Sequence, residues 1–104
     1  MPKYVFAYHG GGIPESAAAQ ADAMAAWGAW FGSLGEAVID GGNPTGQSKT
    51  ITADGSVKNG GGTNPLSGYS LINATDLDAA LVLAKGCPIL SVGGSLEVAE
   101  ALDM

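Results

Sequence analysis

Residues 66–90, LSGYSLINATDLDAALVLAKGCPIL, carry the clearest structural pattern in the chain. Residues 66–74 are mostly apolar and are typical of a long central strand. Thr75, followed three residues later by Asp78, resembles a capping box with aspartate in place of glutamate, and it predicts a helix that extends to Lys85. The inward face of that helix is predicted to hold Leu77, Ala80, Leu81 and Ala84. The segment is therefore predicted to be a strand followed directly by a helix.

The first third of the chain predicts the same arrangement. Residues 3–9, KYVFAYH, place apolar side chains on both alternating faces and predict a strand that is covered on both sides. The helix-start residues Pro14, Glu15 and Ser16 come before an alanine-rich run, which predicts a helix from Ala17 to Leu34. Trp30 is predicted to lie at the flank of an inward stripe formed by Met24, Trp27, Phe31 and Leu34.

The rest of the chain predicts three more strands and a loop. Ala37 to Asp40 and residues 48–52 are predicted to be short strands, and the last strand contains Leu96 and Val98 in alternation with polar residues. Residues 56–65 are rich in glycine and asparagine and are predicted to be a mobile loop. The predicted order is strand, helix, three strands, helix, strand.

This order predicts one α+β domain over residues 1–104. A helix after the first strand and another after the fourth suggest two β-α-β halves of a ferredoxin-like sandwich, with both helices on one face of the sheet. The chain is 46% hydrophobic and only 13% charged, which is apolar for a monomer of 104 residues. We expect the other sheet face to be buried against a second copy, which gives a homodimer.

The charge of the chain limits its partners. Ten acidic residues outnumber four lysines, no arginine is present, and the net charge is -6. Nucleic acid and anionic membranes are therefore predicted to be poor partners, because both require clusters of basic side chains. The chain contains neither an apolar run of about 18 residues nor a signal-peptide pattern at its start, so a cytoplasmic location is expected.

His9 is the only histidine, and it comes directly before three glycines. The esterase interpretation of His-Gly-Gly-Gly fails because no G-x-S-x-G nucleophile motif is present. His9 is instead a candidate general acid or base, with Asp40 as its orienting partner and with Tyr69 and Ser70 as hydrogen-bonding neighbours. The competing interpretation is a histidine that bonds to the backbone at a strand end.

Further candidate residues bear on ligand binding. Trp27 is either a stacking platform for an aromatic ligand or part of the ordinary core, and Tyr69 and Ser70 are candidate ligand-binding residues. The single cysteine, Cys87, is predicted to be a buried structural thiol. One histidine and scattered carboxylates form no recognisable ligand cluster, so neither a metal site nor a cofactor is predicted.

The chain resembles the YCII-related family, including its DGPF-type bacterial members. The similarity spans nearly the whole chain and is carried by PKYVFAYHGG, ADAMAAWGAWFGSLGEAVIDGGNP, LSGYSLINATDLDAALVLAKGCPIL and SLEVAE. The resemblance implies a ferredoxin-like protomer that pairs sheet to sheet into a dimeric α+β barrel. Enzyme-like members carry a histidine and an aspartate in the first helix. Met24 stands near the place of the histidine here, and Ser33 or Leu34 near that of the aspartate, so the pair is missing.

Two functions are compatible with these observations. The first is a small cytoplasmic homodimer that binds a small molecule without catalysis. The alternative is an acid-base enzyme of lyase type that uses His9 on a small metabolite. This alternative includes aromatic metabolites among the candidate substrates.

Overall fold

The computed structural model describes residues 1–12 and 14–104, which form an α+β domain. In chain order, its two helices and six strands are β1 (Lys3–His9), α1 (Ala17–Leu34), β2 (Val38–Asp40), β3 (Lys49–Ile51), β4 (Val57–Asn59), β5 (Leu66–Asn73), α2 (Leu77–Ala84) and β6 (Ser95–Ala101). Short 3₁₀ segments follow each helix, at Gly35–Ala37 and Pro88–Val92. The predicted α+β class is confirmed.

Four of the strands form one antiparallel sheet in the order β2-β5-β1-β6. The two longest central strands, β1 and β5, are those that the sequence predicted most clearly. Phe6 in the middle of β1 lies between Ser70 on β5 and Val98 on β6. The strands β3 and β4 pair only with each other, in a separate two-stranded sheet.

The core lies between the main sheet and the two helices. Alternate residues of β1, namely Tyr4, Phe6 and Tyr8, are at most 5% exposed and face the helices. Trp30 of α1 stacks on Phe6 with ring centroids 6.2 Å apart, and its Nε1 donates a hydrogen bond to the carbonyl of Leu83 at 3.0 Å. Since both helices contribute to this one core, they lie on the same face of the sheet.

Neither of the two helices that the structure describes covers the opposite face of the main sheet. Val5 and Ala7 of β1 lie on this face, between Leu71 and Tyr69 of β5 on one side and residues of β6 on the other. These side chains are only partly buried. The face will be called the open face.

The inward stripe predicted for α1 is only partly right. Trp30 and Leu34 are buried, whereas Met24 is 76% exposed. Residues 17–22 at the start of the helix are all exposed, so the helix meets the core only in its second half. Met24 lies six residues before Trp30, about 9 Å along the helix axis, and does not reach the core. Among the described residues, no helix is long and apolar enough to cross a bilayer.

The start of each helix is fixed by a side-chain cap. Ser16 accepts a hydrogen bond from the amide of Ala19 at 3.0 Å, as the helix-start signal predicted. At α2 the cap is Asp76, which accepts from the amide of Ala79 at 2.8 Å, so the prediction of Thr75 is wrong by one residue. Of the four residues predicted to face inward, Ala80 and Ala84 are buried, whereas Leu77 and Leu81 are 47% and 39% exposed.

The loop predicted over residues 56–65 contains a strand. β4 pairs with β3, and Ile51 lies directly opposite Val57. The turn between them is held by Asp54, which accepts hydrogen bonds from Thr52 and Ser56 that lower the pKa of its carboxyl to about 2. Local turn chemistry, rather than burial, therefore forms this hairpin.

Candidate functional site

A cleft of about 780 Å³ opens between α1 and one end of the main sheet. One wall is α1, with Met24, Trp27 and Phe31. The other walls are residues 10–12 after β1, residues 41–45 after β2, and residues 65–69 at the start of β5. Its volume lies within the range of about 300–1,000 Å³ that is usual for small-molecule sites.

Aromatic side chains form the apolar part of the cleft. Trp27 packs edge-on against Tyr8, with ring centroids 5.0 Å apart and planes at 82°. Trp27 also contacts Phe31 at 5.9 Å between centroids, and it remains partly exposed to the cleft. Trp27 therefore packs on the core cluster, as the core interpretation predicted, and it also lines the cleft. Its role as a stacking platform for an aromatic ligand stays a prediction.

Glycine allows the loop after β2 to approach β5 closely. Gly42 has φ 73°, and a Cβ atom at this position would lie 1.7 Å from the carbonyl oxygen of Tyr69. The amide of Gly42 donates to the Asp40 side chain at 2.8 Å, and the amide of Tyr69 donates to the carbonyl of Asn43 at 3.2 Å. A third contact joins the amide of Thr45 to the carbonyl of Ser67 at 3.0 Å. This wall of the cleft is thus held by backbone contacts.

A hydrogen-bond chain supports the floor of the cleft from below. The Ser70 hydroxyl lies 2.7 Å from the Gly41 carbonyl and 2.7 Å from the Tyr8 hydroxyl. Since a carbonyl only accepts, Ser70 donates to Gly41 and Tyr8 donates to Ser70. Burial raises the pKa of Tyr8 to about 12, against the smaller lowering by Ser70, so its hydroxyl keeps the proton that this chain requires.

The predicted ligand-binding residues separate into two groups. Trp27 and Tyr69 line the cleft. Ser70 is fully buried beneath the cleft, where it links Tyr8 to Gly41 through two hydrogen bonds instead of facing a ligand. Sequence reasoning missed the polar residues Asn43 and Thr45, although the turn signal GGNPT marks their position.

The cleft is uncharged but contains polar groups. No lining residue that the structure describes is ionisable at neutral pH. The Asn43 amide donates to the Tyr69 hydroxyl at 3.3 Å, and the Thr45 hydroxyl donates to the Leu66 carbonyl at 3.0 Å. The Ser67 hydroxyl is buried, and no described residue hydrogen-bonds to it. A buried hydroxyl usually has a partner, so this one has an unused capacity for hydrogen bonding.

His9 lies at the end of β1 on the open face, with 15% of its side chain exposed. Its Nδ1 is 3.0 Å from the carbonyl of Asn64, and its Nε2 is 3.2 Å from the carboxylate of Glu97. Carbonyl and carboxylate oxygens both accept hydrogen bonds, so each ring nitrogen of His9 faces an acceptor. The predicted backbone contact of a strand-end histidine is present, together with an acidic neighbour.

The orienting partner predicted for His9 was wrong, because the structure does not bring Asp40 to it. Asp40 pairs with Leu71 of β5, which in turn pairs with Val5 of β1. One whole strand separates the two side chains, and the Cα atoms are roughly 16 Å apart at ordinary strand spacing. Nor is Ser70 a neighbour of His9, since it belongs to the buried face.

Glu97 takes the position that was assigned to Asp40. His9 lies opposite Ser95 and Ala7 opposite Glu97, so His9 and Glu97 are diagonal neighbours on the same face of the sheet. The alternation of Leu96 and Val98 could have indicated this, because it places Glu97 on the face opposite the core.

Cys87 matches the prediction of a buried structural thiol. It is 3% exposed, and burial raises its pKa to about 11, so the thiol is protonated and a poor nucleophile at neutral pH. Among the residues described, no three or more histidine, cysteine, aspartate or glutamate side chains form a cluster that could hold a metal ion.

The residues that the YCII resemblance sets against a histidine and an aspartate are Met24 and either Ser33 or Leu34, and this correspondence stays a prediction. Met24 is exposed beside the cleft, Leu34 is buried in the core, and the Ser33 hydroxyl donates to the Trp30 carbonyl. The chain matches none of the family models and none of the curated proteins with which it was compared.

Proposed function

We propose that the chain is a binding module for a small, uncharged, flat molecule, and that it acts as a homodimer of YCII-related type. One observation carries the binding proposal, namely the cleft of about 780 Å³ between Trp27 and the loop at residues 41–45. A preformed concave site with an apolar wall and few polar groups is what small-molecule recognition requires.

The lining of the cleft selects the chemistry of the ligand. A carboxylate or phosphate would lose its hydration here, and no described lining residue offers a compensating positive charge. An aromatic ring can stack against the part of Trp27 that is exposed to the cleft. Polar atoms on one edge of the ligand can then reach Asn43, Thr45 or the unpartnered hydroxyl of Ser67. A neutral heteroaromatic compound fits this combination.

The strand order supports the ferredoxin-like part of the proposal. The order β2-β5-β1-β6, with one helix after β1 and the other after β5, is that of two interlocked β-α-β units with both helices on one face. The open face supports the dimer, because Val5, Ala7 and Leu71 form an apolar strip that neither described helix covers. The proposed dimer buries this strip against the same strip of a second copy.

A second candidate is acid-base chemistry at His9, favoured by its contact with Glu97. The carboxylate can orient the ring by accepting a hydrogen bond from Nε2. Against this candidate, both ring nitrogens are already occupied, and His9 does not line the cleft. A substrate would have to displace Glu97 or Asn64 to reach the ring. Binding without catalysis is therefore the function that the geometry supports best.

A fragment titration tests the binding proposal. Neutral heteroaromatic fragments such as indole and quinoxaline are added while ¹H-¹⁵N spectra are recorded. We expect shifts concentrated at the amides of residues 10–12, 41–45 and 66–69, which line the cleft. Benzoate, matched in size but anionic, should bind at least tenfold more weakly because its charge must be desolvated.

A pair of variants completes this test. Trp27→Leu keeps an apolar side chain and should abolish the fragment shifts. Val82→Leu, at a 68% exposed position on α2 and away from the cleft, should leave them unchanged. Equal binding of benzoate and indole, or full binding by Trp27→Leu, would refute the proposed site. Light scattering tests the dimer independently, since a dimer has twice the 10.3 kDa mass of the chain.

A further inference from the structure

The hairpin of β3 and β4 is exposed to solvent along both of its strands. All six of its strand residues are exposed, and Ile51 and Val57 are 73% and 60% exposed. The two residues are directly opposite in the register, so they form one apolar pair on one face of the hairpin. An isolated two-stranded sheet is marginally stable in water. The hairpin is therefore expected to gain stability when it packs against another surface.

The molecule as a whole is less compact than a typical domain of its size. The chain exposes 6844 Å², whereas a compact monomer of its mass exposes about 5,400 Å². Its radius of gyration is 14.9 Å, compared with about 13 Å for a compact domain of this length. The molecule is also only 18 Å thick across its shortest axis. Much of its surface is thus available for contact with another protein.

Charge indicates what kind of surface the hairpin fits. Residues 49–59 contain two of the four lysines, Lys49 and Lys58, and one of the ten acidic residues, Asp54. The hairpin therefore has a net charge of +1, and the rest of the chain carries -7. Opposite charges on two parts of one chain favour contact between copies of that chain.

The root of the hairpin lies beside the open face. The carbonyl of Asn64 accepts the hydrogen bond of His9, whose side chain is on that face, and the amide of Gly10 donates to the carbonyl of Pro65. The chain leaving β4 therefore returns to the sheet at the border of the surface through which the dimer is proposed to form.

From these observations we propose that the hairpin is an arm that packs on the second copy of the chain and buries the pair Ile51–Val57 there. The lysines of the arm then face the acidic body of the partner, where Glu97 at the border of the open face is an exposed carboxylate. This inference rests on the proposed dimer and adds a second contact to it. It does not depend on the ligand.

Sedimentation equilibrium of matched variants tests the arm. The double variant Ile51→Ser, Val57→Ser should keep the helical circular dichroism of the wild type, because neither residue is in the core, and should dimerise roughly tenfold or more weakly. Val82→Ser removes a similarly exposed apolar side chain outside the arm and should dimerise like the wild type. Leu71→Lys, on the open face, should be monomeric.

The outcomes separate the arm from the dimer. If Leu71→Lys is monomeric and the double serine variant dimerises like the wild type, the arm is refuted and the sheet contact stands. If Val82→Ser weakens the dimer as much as the double variant, the effect is not specific to the arm, and the proposal fails. A wild type that is monomeric at every concentration refutes both the sheet contact and the arm contact. The fragment titration tests binding to the cleft independently of this result.

Trypsin gives an independent measurement. A docked arm should protect Lys49 and Lys58 at concentrations above the dimer dissociation constant and expose them on dilution. Cleavage at the same rate per molecule at all concentrations, in a protein that is shown to dimerise, would overturn the proposal.

Discussion

The hydroxyl of Tyr8 donates a hydrogen bond to Ser70 across the two central strands, and the hydroxyl of Ser70 donates one to the carbonyl of Gly41. The two residues thus connect the core beneath Trp27 with the backbone wall of the cleft. Ser70 makes both of these hydrogen bonds, whereas Tyr8 makes only the first.

Removal of the Tyr8 hydroxyl should therefore lower the free energy of unfolding less than removal of the Ser70 hydroxyl. Tyr8→Phe leaves Ser70 bonded to Gly41 and should lower the free energy of unfolding by about 1 kcal/mol. Ser70→Ala leaves the buried Tyr8 hydroxyl without its acceptor and also frees Gly41, so we expect a loss of about 2–3 kcal/mol. Urea unfolding measures both values. Equal losses would contradict the assignment of Ser70 as the residue that makes both hydrogen bonds.

Alkaline pH should destabilise the protein through Tyr8. Its pKa is about 10 when unfolded and about 12 when folded, so its contribution is complete below pH 10 and is lost as the pH rises toward 12. Between these values the stability should fall by up to about 1.4 kcal/mol per pH unit. Ionisation of Cys87 should also lower the stability, from about pH 9 to 11, because its pKa is raised in the same way. The effect of Tyr8 is therefore measured in a Cys87→Ala background.

In that background, Tyr8→Phe should show a shallower decline of unfolding free energy above pH 10 than the parent. The experiment is a series of urea titrations at fixed pH. Parallel curves for the two proteins would show that Tyr8 is not the group that titrates.

Substitution of Gly42 should damage the cleft more than the core. Gly42→Ala places a methyl group against the Tyr69 carbonyl at a positive φ, so the loop at residues 41–45 has to move. We expect a loss of at least 1–2 kcal/mol in stability together with loss of fragment binding.

Gly46→Ala is the matched control, because a Cβ atom there meets no atom within 4 Å. Its stability should stay within about 0.5 kcal/mol of the wild type. If both alanine variants bind fragments as the wild type does, the close approach of Gly42 to Tyr69 does not shape the cleft.

The thiol of Cys87 should be unreactive in the folded protein. Because it is buried and its pKa is raised to about 11, an aromatic disulfide reagent at pH 8 should modify it only as fast as the protein unfolds. A Val82→Cys, Cys87→Ala variant, with its thiol at a 68% exposed position, should react at least a hundredfold faster. Rapid modification of the wild type at a rate independent of urea would contradict the burial of Cys87.

Local patterns predicted the elements that depend on nearby residues. The bounds of α1 follow from its alanine-rich run and its Ser16 cap, and β1 and β5 follow from their apolar content. The side of α1 that faces the sheet did not follow, because a helix with large residues at both Met24 and Trp30 has more than one apolar face. Packing against Phe6 decided in favour of Trp30.

The surroundings of His9 depend on pairings that are distant in sequence. Its contact with Glu97 spans 88 positions and exists because β6 lies beside β1. Asp40 was excluded by β5, which separates β2 from β1. Most of the cleft wall was not predicted for a similar reason, since three segments that are far apart in sequence form it.

The cleft has one wall of side chains on α1, and six glycines contribute to its other walls. These glycines offer a ligand only peptide donors and acceptors, whereas Asn43, Thr45 and Ser67 add polar side chains beside them. A change of preferred ligand is therefore most easily made at Ala23 and Met24, which are not part of the core cluster, whereas Trp27 also packs against Tyr8 of the sheet. Substitutions at exposed positions of α1 would therefore change the apolar wall of the cleft and leave the backbone of the loops in place.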